Sequence, residues 1–399
     1  MYYNQKLQKS ICMSLMMCSL LLATLYEILY CNQGLHNTRL TETSVKTTPK
    51  ELHIKQNHIR LRDTSVKTTS TDLHVERDHT RLKDTQVKTT YPDLPRKRGP
   101  PGHTIPVDLS FIDNKWRLSS ICKPYTIFIN RRDFPLYKYT TNAGSVKIFT
   151  HSLSDIISSV IRRAGAFELN TINRVLYQLQ KDPSINLIDI GTNIGQHSIA
   201  AALIGRNSIA VDAVKSNIEH VCASAHYLNI GSRITLIHNI LSDSSGTRKL
   251  RYSASNTDFG LNHVDSDGIW DKMRRKFSGR HFKTKTVQEN AATLDNLLLI
   301  PQMQQFKKVF MKIDVEGHEH RVLLGAKEFF KRLDVQGIIM EWAWHVKRPS
   351  SEIIKTFMAE WKFKPFRMFR TTQFDLSAIQ SNLWPQDVLW LPIKNNTKV

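Results

Sequence analysis

Along residues 104–399, short unbroken apolar runs alternate with stretches in which apolar side chains return every three or four positions. The first pattern belongs to strands buried on both faces, the second to helices with one buried side. Strands are predicted at Tyr125–Ile129, Ser145–Phe149, Leu187–Ile190, Ser208–Val211, Ile234–Ile237, Val309–Ile313, Gly337–Met340, Phe363–Phe369 and Asp387–Leu391. Helices are predicted at Ile156–Ala164, Glu168–Leu179, Ser216–Tyr227, Thr293–Leu299, Glu319–Phe330 and Ser350–Glu360. This alternation predicts a doubly wound, mainly parallel α/β sheet with helices on both faces. Residues 104–185 form an N-terminal extension of a domain that runs from 186 to 399. Residues 244–292 are long for a connection and predict a hairpin with an insertion.

The N-terminal part reads differently. Lys6 and Lys9 precede an uncharged apolar run, Ile11–Tyr26, which Ile28, Leu29 and Tyr30 extend beyond Glu27 to about the 20 residues that span a bilayer. Residues 1–10 then form a short cytosolic tail and 11–30 a transmembrane signal anchor of a type II protein. A cleaved signal peptide is the alternative, but the run is long and no clear A-x-A site follows. Either reading sends the remainder into the secretory pathway, so a lumenal domain in the Golgi or endoplasmic reticulum is expected. Residues 31–103 carry Thr-rich repeats with a period of 21, marked by Val45-Lys-Thr-Thr48, Val66-Lys-Thr-Thr69 and Val87-Lys-Thr-Thr90. Such units hold too little apolar surface to offset ordering entropy, which predicts a disordered stem.

Composition adds one point. Lys and Arg number 56 against 35 acids, a net charge of +21, which suits an acidic partner. The densest cluster, Lys272, Arg274, Arg275, Lys276, Arg280, Lys283 and Lys285, also fits a plain solvated loop. Of five cysteines, Cys122 and Cys222 fall in the globular part, and no zinc-ligand spacing exists.

The chemistry concentrates at two strand ends. After Leu187–Ile190 come Gly191 and Gly195, a tight turn opening a helix with Ile199, Ala200, Leu203 and Ile204 on one side. The position a dinucleotide fold reserves for a second glycine is Asn193, which disfavours pyrophosphate, and no Walker lysine follows. An adenosine without phosphates fits, and S-adenosylmethionine is the common one. Asp212 ends the next strand, where an acid can accept both ribose hydroxyls. Beyond Val309–Ile313 stand Asp314, Glu316, His318 and Glu319, three carboxylates and an imidazole where an acceptor would meet the adenosine site. Asp314, Glu316 or His318 could take a hydroxyl proton during methyl transfer, while some of these acids would cap the next helix. Trp342 and Trp344 could stack on a sugar or be core. His197 and His345 read better as structural. No metal ligand set is assigned, because Asp314 and Glu316 lack a visible third ligand.

Taken together, LIDIGTNIGQHSIAAA, AVDAVKSN, NILSDSSG, TLDNLL and VFMKIDVEGHEHRVLLGA resemble the FkbM-type methyltransferases. Lys312, Asp314, Glu316, Gly317 and Glu319 match that family's phrase K-x-D-x-E-G-x-E in order. The resemblance implies an S-adenosylmethionine-dependent O-methyltransferase with a Rossmann-like sheet of seven strands, the last antiparallel. It implies that Asp189, Gly191, Asn193, Gly195 and Asp212, with Asp243 of the NILSD segment, bind the cofactor. By the same resemblance Asp314, Glu316 and Glu319 face cofactor or acceptor, while His318 stands where the family commonly has a small residue. The residues themselves assign Asp314, Glu316 and His318 to catalysis and Glu319, Trp342 and Trp344 to the acceptor. The expected acceptor is a hydroxyl of a sugar or glycoconjugate. A protein, lipid or RNA acceptor, or an inactive glycan-binding module, is the alternative; nucleic acid is disfavoured for a lumenal domain.

Overall fold

The strand that positions everything else is Ile185–Ile190, because each of its two neighbours ends in an acid-bearing loop. The computed structural model describes residues 104–253, 263–264, 284–368 and 375–393. Numbered in chain order, the first strands are β1 (Val107–Ile112), β2 (Lys115–Leu118), β3 (Leu136–Thr141), β4 (Gly144–Phe149), β5 (Ile185–Ile190), β6 (Ser208–Asp212) and β7 (Ile234–His238). They are followed by β8 (Ile240–Leu241), β9 (Gly246–Ser253), β10 (His263–Val264), β11 (Thr284–Ala292), β12 (Lys308–Ile313), β13 (Asp334–Glu341), β14 (Phe363–Arg367) and β15 (Asp387–Pro392). The described α-helices are α1 (Ile156–Ala164), α2 (Leu169–Gln180), α3 (Gln196–Leu203), α4 (Lys215–Tyr227), α5 (Glu319–Leu324), α6 (Lys327–Arg332) and α7 (Pro349–Glu360).

The main sheet has nine strands in the order β14-β15-β13-β12-β5-β6-β7-β1-β2. From β1 to β13 all neighbours run parallel, whereas β15 is antiparallel to both β13 and β14. This corrects the expected seven-stranded sheet. The extension adds β1 parallel to β7 and β2 antiparallel to β1. The apolar pattern hides β1 because Asp108 and Ser110 alternate through it, both buried. Asp108 is tolerated inside because its Oδ2 accepts from the Ile121 and Cys122 N–H groups.

The central strands are buried on both faces. On one side, Ile188, Ile190, Val309, Met311 and Ile313 pack with Val322, Phe329 and Ile354 of the helices. On the other, Ala210 and Leu236 pack with Ile172, Ile199, Ile218 and Val221, joined by Tyr139 and Ile148 of the β3–β4 hairpin. Full burial of each such aliphatic side chain contributes about 1.5–3 kcal/mol. A second sheet, β10-β9-β11-β8, joins strands of the 244–292 insertion to β8 just before it.

Three further expectations change. Tyr125–Ile129 is not a strand: Tyr125–Ile127 is a 3-10 turn after Pro124, with Phe128 turned in against Phe134 at 4.3 Å between ring centroids. The helix expected at Glu319–Phe330 breaks at Gly325, where a Cβ would stand 2.2 Å from the Ser242 carbonyl oxygen. Among the described residues, no helix is long and apolar enough to cross a membrane. That finding corrects the reading as a membrane-anchored type II protein with a lumenal domain in the Golgi or endoplasmic reticulum. The run at 11–30, the repeats at 31–103 and the basic residues from Lys272 to Lys283 lie outside the described residues.

Cys122 and Cys222 form a disulfide that joins the extension to α4, closing a loop with a sequence separation of 100.

Candidate active site

The turn after β5 is held from beneath by Asp189, which is fully buried. Its Oδ2 accepts from Thr192 Oγ1 at 2.7 Å and from Ser198 Oγ at 2.7 Å, so the carboxylate fastens the turn to the start of α3. Gly191 has φ +76°, and a Cβ there would come 1.7 Å from the Asp314 carbonyl oxygen. No side chain fits between these two loops. Asn193 has φ +50°, a left-handed conformation Asn tolerates, and Gly195 at φ +82° opens α3.

Asp212 closes β6 beside this turn. Its Oδ2 accepts from the Asn193 N–H at 2.8 Å, and its Oδ1 from the Val214 N–H at 2.8 Å and Asn217 Nδ2 at 3.1 Å. Burial pushes its pKa up to about 6 against the pull of those three donors. An open depression of about 340 Å³ begins at Ala213 and Val214 and continues past Lys215, Ser216, Leu250 and Val287.

Lys312, buried near the end of β12, ties the two loops together. Its ammonium donates to the Gly191 carbonyl at 2.8 Å and pairs with Asp314 Oδ2 at 3.2 Å. Burial opposes that charge, but Asp314, Asp189 and Glu168 outweigh it and hold the pKa above the usual lysine range. Glu316, at φ +55°, has its pKa raised well above the carboxylate range by burial and by Asp314 and Glu319. Two residues not singled out from sequence join this group. Glu341 ends β13 and Asp387 begins β15, paired across the sheet. Burial and the Asp314 charge raise both of their pKa values. They were missed because each stands alone in its segment, and only strand pairing brings them to the DVEG loop.

Glu319 is placed differently from the expectation that it faces the acceptor. It is fully buried, its Oε1 accepting from the Val315 and Gly317 N–H groups and its Oε2 lying 2.7 Å from His345 Nε2. It clamps the loop that presents Glu316. One carboxylate oxygen from each of Asp314, Glu319 and Glu341 lies within 4.8 Å of the others, the one described group with the donor set for a hard divalent cation.

His318 is also buried, with Nε2 3.1 Å from Ser242 Oγ, and burial with the nearby His320 and Arg321 pushes its pKa down to about 3. It is a neutral imidazole in a side network. Asp243 belongs to the same network, paired with Arg321 and accepting from Ser242 Oγ at 3.0 Å. Trp342 is core: it is fully buried, 4.7 Å from the Trp384 ring, and its Nε1 donates to the Ser381 carbonyl. Trp344 is half-buried and packs on Gly317, where a Cβ would come within 3.3 Å of it. The structure therefore groups Asp314, Glu316 and Trp344 at one strand end and Asn193 with Asp212 at another, with Gly191 between them.

The extension supplies further residues with no motif to reveal them. Tyr139 Oη donates to the Gln196 carbonyl at 2.6 Å, and Gln196 Oε1 accepts from the Phe167 N–H at 2.9 Å.

Residues 189–365 match the methyltransferase FkbM domain. No curated protein matches the chain. Among solved structures, the chain is similar to the S-adenosylmethionine-dependent O-methyltransferase from Thermotoga maritima, at 10% identity and TM-score 0.30, over 73% of this chain and 96% of that one. It is also similar to the O-methyltransferase from Bacillus cereus, at 11% identity and TM-score 0.28, covering 56% and 80%. Magnesium protoporphyrin IX methyltransferase from Synechocystis PCC 6803 gives 12% identity and TM-score 0.30, covering 60% and 84%. With its glycine turn, strand-end acids and DVEG block inside the matched region, the chain carries a methyltransferase FkbM domain over residues 189–365 and is an S-adenosylmethionine-dependent methyltransferase.

Proposed function

We propose that the enzyme methylates a hydroxyl group of a sugar or glycoconjugate. The observation that carries the reading is the direct packing of Gly191 on the Asp314 carbonyl, with Lys312 bonded to both loops. The cofactor turn and the carboxylate group are thereby one rigid unit. Asp212 has the position and a free lone pair to accept from a ribose hydroxyl, and the depression at Ala213 and Val214 suits the adenine beside it. S-adenosylmethionine supplies an electrophilic methyl group.

The chain's own residues do the rest by alignment and proton transfer. Glu316 is the base we assign from its place in the DVEG loop; burial and neighbouring charges raise its proton affinity, so it has to lose its own proton before it can take one from a hydroxyl. Lys312 pairs with Asp314 Oδ2 at 3.2 Å. Asp314, Glu341 and Asp387 offer acceptor oxygens to neighbouring hydroxyls of a polyol, and the half-buried Trp344 offers a ring face beside them. A single-hydroxyl acceptor would leave most of these oxygens without donors.

The test is to incubate the full-length protein with methyl-labelled S-adenosylmethionine and a panel of oligosaccharides, proteins, lipids and RNA. Label in a base-stable ether on a sugar supports the reading. Label confined to protein, lipid or RNA overturns it.

A further inference from the structure

We infer that His151, supplied by the extension, is a positioning residue for cofactor binding, acting through Asn217 on Asp212. The inference rests on the reading that Asp212 receives the ribose.

Asp212 is surrounded by donors: the Asn193 and Val214 N–H groups and the Asn217 amide. An ionised carboxylate only accepts, so the Asn217 NH₂ must face it. That leaves Asn217 Oδ1 pointing away, 2.8 Å from His151 Nε2. An amide oxygen only accepts, so His151 carries its proton on Nε2 and donates. The chain of donors therefore runs His151 to Asn217 to Asp212, with one direction throughout. Reversing the Asn217 amide would set its oxygen against the Asp212 carboxylate.

The three residues have the burial that makes such a chain matter. His151 is 3% exposed, Asn217 1% and Asp212 8%. In a site this dry a misdirected amide has no water to turn to. The His151 ring is fixed in turn by His220, 4.0 Å away between centroids, which stacks on Phe134 at 3.8 Å. His220 lies between the Ser216 and Asp133 carbonyls, 2.7 Å from Nδ1 and 3.1 Å from Nε2, and its neutral ring donates to one of the two. Asn217, His220 and Ser224 recur at helical spacing on α4, and each meets the extension or a residue beside it: Asn217 meets His151, His220 meets Asp133, and Ser224 Oγ accepts from the Phe149 N–H. The extension is thus part of the ribose subsite, not a cover laid over it. Three of the roughly four acceptor positions of the carboxylate are taken by these donors, so the one left on Oδ2 has to point out of the turn to receive a ribose hydroxyl. A locked Asn217 amide keeps it there.

The test measures the affinity of the full-length protein for S-adenosylhomocysteine and for its 2′,3′-dideoxy analogue, by calorimetry, in His151→Phe, His151→Gln and Asp212→Asn. We expect His151→Phe to weaken S-adenosylhomocysteine roughly fivefold, a coupling within one hydrogen-bond network, and to leave the dideoxy analogue unchanged. His151→Gln, which keeps an N–H donor, recovers most of the affinity. Equal weakening of both ligands would make His151 merely structural and overturn the inference, as would unchanged binding in His151→Phe while Asp212→Asn binds poorly. Full binding in Asp212→Asn would instead remove the ribose assignment underneath it. Should His151→Phe not fold, Asn217→Ala breaks the same chain at its middle and is read by the same criteria.

Discussion

Asp212 and Glu316 are both carboxylates with raised pKa values, yet their surroundings give them opposite work. Asp212 sits among three donors, and in the proposed ribose role it must stay ionised to accept from a hydroxyl. Since its pKa stands at about 6, cofactor affinity should be flat above that pH and fall as the pH drops through it. Asp212→Asn should weaken binding roughly 10- to 100-fold, the worth of hydrogen bonds to a charged group, and abolish the pH step. Glu316 is buried beside the acids Asp314 and Glu319, which raise its proton affinity, so in the proposed role it gives up its own proton before taking one from the acceptor. Glu316→Gln should leave cofactor affinity within about twofold while turnover falls roughly 10²- to 10⁴-fold. Calorimetry across pH, paired with turnover on any identified acceptor, separates the two. Equal loss of binding in both variants would deny the division of roles.

At the scale of elements, α4 is the piece that joins the extension to the cofactor site. Asn217, His220, Cys222 and Ser224 all lie on it, and Cys222 is covalently bound to Cys122. Opening a loop of this length frees much of the unfolded chain, and Cys122→Ser with Cys222→Ser should cost roughly 2–4 kcal/mol of stability. Chemical denaturation of the oxidised and doubly substituted chains measures it; equal midpoints would show the bond to be idle. Elements whose apolar period is unbroken were legible in the sequence. β5, β6, β7 and β12 fall where their runs predict, because strands buried on both faces have no polar positions to confuse them. β1 was not legible because two of its buried positions are Asp108 and Ser110, satisfied only by tertiary contacts. The site divides in the same way. Gly191, Asp212 and the DVEG loop are contiguous motifs, whereas Glu341, Asp387 and His151 reach the site through strand pairing and the hairpin, which no spacing reveals. Glu319 and Trp342 carry the residue types expected of a binding surface but are consumed by a loop clamp and by the core.

For the whole molecule, the carboxylates at the ends of β12, β13 and β15 set a pH dependence. Glu316, Glu341 and Asp387 have folded pKa values raised above the unfolded ones. Their contribution to stability is therefore full below the ordinary carboxylate range and is lost as pH rises through the raised values. Melting temperature should fall from mildly acidic to mildly alkaline pH, and Glu341→Gln should flatten that slope. A parallel slope in the variant would show that Glu341 is ionised in the folded enzyme. The nine-stranded sheet makes this tension useful, because Lys312 ties the Gly191 turn to Asp314 at the carboxyl ends of its central strands β5 and β12. The most direct measurement of that claim is a crystal structure of the enzyme with S-adenosylhomocysteine. The account predicts a ribose hydroxyl within hydrogen-bond distance of Asp212 and the sulfur turned toward Glu316. A ribose bound away from Asp212, or a sulfur facing away from the DVEG loop, would contradict it.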